Sequence, residues 1–133
     1  MDTGPALVSI LRQGTYLIAS IHTALDDTQL VRFQRDLIDR IGQDRSRGVI
    51  IDVAALDVVD SFATNTLRNI AEMARLRGAV TVIVGIQPEV AFAMAQLGLD
   101  TGSVLTALDL EEALEYLGQL AATPAETSNR RRL

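Results

Sequence analysis

The chain has 133 residues, 48% of them hydrophobic, and a formal net charge of −5, which suits one domain built around a single core. It contains no cysteine, so a disulfide framework, a thiolate metal site and a cysteine nucleophile are all excluded. Its 12 basic residues are all Arg, which also excludes any chemistry that needs a lysine amine.

Apart from Arg130, Arg131 and Arg132 near the end, the basic residues are not clustered, so a nucleic-acid surface is not expected on an acidic chain. Pro5 and the lack of a basic stretch ahead of an apolar one argue against an export signal. No apolar run approaches the roughly 18 residues of a membrane helix. The expected address is the cytoplasm, with no membrane contact.

Alternating apolar positions in 6–11 and 16–21, separated by Gln13-Gly14, predict an opening β-hairpin. Asp26 with Gln29 three residues on forms a capping-box pattern, and Leu30, Phe33, Leu37 and Ile41 then repeat at helical spacing. A first helix is predicted over 27–43, with Arg32, Arg35, Asp36, Asp39 and Arg40 on its solvated face. The apolar run 48–53 predicts a central strand covered on both faces.

A second helix is predicted over 61–77, with Ala63, Leu67, Ile70 and Ala74 inward and Thr64, Arg68, Glu72 and Arg75 forming a polar ridge. Gly78 suits the stop, and 79–85 reads as another covered strand. Pro88 and Glu89 start a third helix that Gly98 ends. Its nearly all-round apolar interior predicts close packing, with Met94 as core filler. A short strand over 103–106 precedes a fourth helix opened by Asp109 and Glu112. The domain is expected to span 1–122, and 123–133, lacking apolar periodicity, to be a disordered tail. The predicted order is β-β-α-β-α-β-α-β-α: an α/β domain whose mixed sheet opens with a hairpin and is flanked by four helices.

The chemistry concentrates where the central strand has ended and the second helix begins. Ser61 follows Asp60 there, and its position alone is explained by N-capping. A phosphate at a helix start would also be tolerated by the free N–H groups and the positive dipole end. The two roles are compatible. A phosphorelay receiver, suggested by Asp26, Asp27 and Asp52, fails for want of a lysine. Serine hydrolysis lacks its nucleophile elbow, and His22, the only histidine, lies at the end of the hairpin. No phosphate-binding glycine motif is present, and Asp57 with Asp60 lacks a third ligand for a metal. Neither a cofactor nor an enzymatic activity is expected.

The strand 48–53, the loop 54–59 and the junction Asp60-Ser61-Phe62, together with Leu25-Asp26-Asp27, Gly85-Ile86-Gln87-Pro88 and 106–111, resemble the STAS-domain anti-sigma factor antagonist family. The likeness covers residues 6–120 and is closest to the small scaffold proteins of stressosomes, since Phe62 and Ala63 follow the serine where sporulation-type antagonists have a small residue and glycine. The resemblance implies that Ser61 is a phosphoacceptor and that Asp57, Asp60, Phe62, Thr64 and Arg68 surround it as a partner surface. It further implies a scaffold that, assembled with homologous sensory STAS proteins, sequesters a serine/threonine switch kinase and releases it on phosphorylation. Alternatives are a simple antagonist that binds an anti-sigma kinase directly, or a STAS module that binds a small ligand.

Overall fold

A computed structural model describes residues 6–97 and 104–131, with side chains up to residue 121. The elements are β1 (Val8–Gln13), β2 (Tyr16–Ile21), α1 (Asp27–Asp44), β3 (Gly48–Asp52), α2 (Ser61–Leu76), β4 (Val80–Val84), α3 (Pro88–Gln96), β5 (Leu105–Ala107) and α4 (Leu110–Arg131). This is the predicted order. The sheet runs β1-β2-β3-β4-β5, antiparallel between β1 and β2 and parallel thereafter. The hairpin turns at Gly14, whose φ of 61° is the left-handed conformation glycine adopts without a Cβ penalty.

The alternation of side chains divides the core in two. Leu17, Ala19, Val49, Ile51 and Ile83 face one way and pack with Phe33, Leu37 and Ile41 of α1 and Leu67, Ile70 and Ala74 of α2. Ile50, Val82 and Val84 face the other way, against Ala113 and Leu117 of α4. The apolar run in β3 is therefore covered on both faces, as its composition predicts. At the start of α1 the capping box is complete: Gln29 N–H donates to Asp26 Oδ1 at 2.8 Å, and Asp26 N–H donates to Gln29 Oε1 at 2.8 Å.

Two expectations need correction and a third meets its limit. α3 is not closely packed all round: Val90 and Met94 are buried, but Phe92 is 71% exposed and Ala91 and Ala95 are exposed with it. Apolar content in a nine-residue helix says how much could be buried, while the number of neighbouring layers decides how much is. The polar ridge on α2 is also different, because Thr64 is only 1% exposed. α2 rests on both the sheet and α1, so its buried arc takes in Thr64, Thr66 and Ala71 beyond the Leu67, Ile70 and Ala74 of the predicted stripe. Finally, α4 remains helical to Arg131, where a disordered tail is expected after 122. The expected stop at Gly98 and strand start at Ser103 lie outside the described residues.

Candidate functional site

β2 to β5 run parallel, so the loops that follow them gather on one edge of the sheet. Ser61 stands on that edge as the first residue of α2. The residue that caps the helix is its neighbour: Asp60 has extended backbone (φ −84°, ψ −177°), and its Oδ1 accepts from Ala63 N–H at 2.8 Å. This corrects the capping role predicted for Ser61. Asp60 satisfies an otherwise orphaned N–H and places a negative charge at the positive end of the helix dipole. The Ser61 side chain is exposed and not committed to the cap.

The loop before Ser61 is held from several sides. Val53 N–H donates to Val84 O at 3.0 Å, Ala54 N–H to Asp52 Oδ1 at 2.9 Å, and Gln87 Nε2 to Ala54 O at 2.9 Å. Leu56 and Val59 are buried anchors of the loop. Gly85, with φ 78°, passes so close that an added Cβ would lie 2.8 Å from Ala54 Cβ. Between its anchors the loop presents Asp57 and Val58 to solvent, Val58 at 73% exposure. Beside them Leu25, Val58, Val59, Asp60 and Ala63 line a small groove of about 130 Å³ between the start of α1 and the start of α2.

Of the residues predicted to surround Ser61, Asp57, Asp60 and Phe62 are exposed at the helix start. Arg68 lies two turns along, half-buried, with Nη2 donating to Asn65 Oδ1 at 2.9 Å and a buried Nε that has no hydrogen-bond partner. Thr64 points inward, and its buried Oγ1 likewise has no partner, so it does not belong to the exposed surface. Val58 and Asn65, both exposed, take its place in that surface and were missed by sequence reasoning. An exposed valine in an apolar loop carries no signal distinguishing it from the buried Val59 beside it.

The residues considered for other chemistry are dispersed. His22 bonds Ser9 Oγ through Nε2 at 3.0 Å, joining the two strands of the hairpin. Asp26 caps α1 and Asp52 holds its own loop. Among the described residues no three His, Asp or Glu side chains gather as metal ligands, and no helix is long and apolar enough to cross a membrane. What the edge exposes is a free hydroxyl on the first turn of a helix, two carboxylates, and the apolar side chains of Val58 and Phe62.

Comparison with known proteins places this surface in context. Residues 8–113 match the STAS domain model. A solved serine-to-glutamate variant of RsbS from Moorella thermoacetica is 36% identical, with a TM-score of 0.79 over 87% of this chain and 98% of that one. A chain from the molecular architecture of the stressosome, described as a signal integration and transduction hub, is 34% identical with a TM-score of 0.72, covering 86% of this chain and 99% of its own. The RsbT co-antagonist protein RsbRA of Bacillus subtilis is 30% identical over 91 residues, 68% of this chain and 33% of its own length. This chain thus spans about a third of that curated relative.

Proposed function

Because this chain belongs to the STAS domain family, we propose that it is a non-enzymatic, cytoplasmic stressosome scaffold whose Ser61 is a phosphorylation switch. Unmodified and assembled with homologous sensory STAS proteins, it holds a serine/threonine switch kinase. Phosphorylation of Ser61 releases that kinase to act on a sigma-factor pathway or a similar output. The likeness to RsbS along most of both chains favours the scaffold, and the name of RsbRA, a co-antagonist of RsbT, favours a target of the RsbT kind. The domain that performs this role is taken to end near residue 122.

The observation that carries the reading is the division of labour between Asp60 and Ser61. Asp60 holds the helix start, so the exposed Ser61 hydroxyl can be esterified without breaking the cap. A phosphate there adds about −1.5 to −2 charges at pH 7. The α2 dipole offsets part of that charge within the domain. A partner fitted to a neutral hydroxyl between Val58 and Phe62 would instead face the phosphate together with Asp57 and Asp60, and would leave.

The test is to incubate the protein with ATP and its candidate switch kinase, map the modified residue by fragment mass spectrometry, and follow the complex by size-exclusion chromatography. A single phosphate on Ser61 with loss of the complex is expected. Ser61→Ala should keep the kinase in the presence of ATP, and Ser61→Glu should bind it weakly without ATP. A competent kinase that leaves Ser61 unmodified would overturn the switch and favour a ligand-binding STAS module.

A further inference from the structure

The two edges of the sheet differ in charge. Exposed Asp57, Asp60 and Asp109 gather where β2 to β5 end, on the edge that carries Ser61. The opposite edge, where those strands begin and α1 and α2 end, carries exposed Arg45, Arg47 and Arg77. These three line one open groove of about 650 Å³ together with Gly42, Ser46 and Leu76. Their side chains make neither a hydrogen bond nor an ion pair with any described residue. Asp44, at the end of α1, is held by Arg40 at 3.4 Å. The carbonyl ends of α1 and α2 contribute about half a negative charge each, so the groove keeps a net charge of about +2.

Two residue choices at this groove cost stability, and both place a guanidinium. Arg45 closes α1 in the left-handed conformation, with φ 52° and ψ 46°, and is the only non-glycine residue with positive φ among the described residues. Glycine fits that position without a Cβ penalty and is the commoner choice after a helix. Gly42 is the reverse case, a glycine inside a helix, where alanine is preferred. The space its missing Cβ leaves is taken by the guanidinium of Arg77, which thus lies directly over α1. Neither choice serves the core, and together they bring arginines to the groove from both helices.

We propose that this groove binds a small molecule bearing linked phosphates, held by Arg45, Arg47 and Arg77. Guanidinium groups pair bidentately with phosphate and carboxylate alike, but here they approach from two elements. A tetrahedral phosphate offers oxygens in several directions, whereas a carboxylate offers two in one plane. Liquid water occupies ~30 Å³ per molecule, so the groove has several times the room that one orthophosphate fills, which favours a phosphate chain. Leu76, 79% exposed at the rim, gives an apolar surface to any organic part of the ligand. The site lies on the edge opposite Ser61, so it leaves the kinase surface free and does not depend on that reading.

Isothermal titration of the full chain with inorganic tripolyphosphate tests this, with amide chemical shifts to locate the ligand. One tripolyphosphate should bind per chain and shift the amides of 45–47 and 77. Orthophosphate and citrate should each bind at least tenfold more weakly, citrate because it matches in charge but not in geometry. Arg47→Gln and Arg77→Gln should each cost roughly tenfold or more in affinity, as the loss of a charged hydrogen-bond pair does. Arg45→Gly should lose affinity to the same degree yet melt no lower than wild type, which separates binding from folding. Gly42→Ala should weaken binding by displacing the Arg77 head, and Arg32→Gln, away from the groove, should bind like wild type. A nucleoside triphosphate that binds more tightly than tripolyphosphate, with the gain lost in Leu76→Ser, identifies an organic polyphosphate as the ligand. Equal affinity identifies the phosphate chain itself. A chain that binds no tripolyphosphate, binds citrate as well, or loses as much affinity in Arg32→Gln as in Arg77→Gln would overturn the proposal.

Discussion

Replacing Asp60 probes the junction between fold and site. Asp60→Ala removes the 2.8 Å bond to Ala63 N–H and the charge at the start of α2. Losing such a cap costs about 1 kcal/mol, within a range of about 0.5–2. Losing the carboxylate's interaction with the helix dipole costs about 0.3–1 kcal/mol. The expected destabilisation is therefore about 1.5 kcal/mol. Unfolding entropy near 60 °C is about 2.1 cal/mol/K per residue, or about 0.28 kcal/mol/K for 133 residues, so the melting temperature should fall by about 5 °C. Asp60→Asn keeps an oxygen acceptor and loses only the charge, so its loss should be less than half as large. Differential scanning calorimetry with urea titration measures both. If Asp60→Asn were as damaging as Asp60→Ala, the hydrogen bond would not be what holds the helix start; an Asp60→Ala protein as stable as wild type would refute the cap altogether.

Gly85→Ala should destabilise by more than 1 kcal/mol or so, because the substitution combines φ 78° with a 2.8 Å approach to Ala54 Cβ; it should also loosen the loop before Ser61, seen as faster amide exchange there. Ile70→Ala removes a fully buried side chain between α2 and the sheet and should cost about 2–5 kcal/mol in urea titration. Gly42→Ala has to displace only the flexible end of Arg77 and gains helix propensity, so stability should be unchanged or higher by up to about 1 kcal/mol. A chain ending at Ala122 should keep the melting temperature of the full chain within about 3 °C, a shift that would correspond to under about 1 kcal/mol; a larger fall would place residues 123–133 within the folded unit.

Much of this molecule is determined by local sequence. Capping at Asp26 and Asp109, the apolar period of α1, the covered runs of β3 and β4 and the turn at Gly14 each depend on neighbours a few residues away, so composition and spacing suffice to read them. The helix start that carries the candidate residue Ser61 is legible for the same reason, since a strand, a short loop and a polar helix start follow directly along the chain. Tertiary structure decided what those patterns leave open. Whether Asp60 or Ser61 caps α2 depends on which oxygen reaches Ala63 N–H. Thr64 is buried because α2 meets two layers, and Phe92 is exposed because α3 meets fewer. The separation of charge between the two sheet edges depends on parallel strands bringing together loops distant in sequence. Hydrophobic period records how much surface a segment can bury, but only the arrangement of its neighbours determines which residues water still reaches.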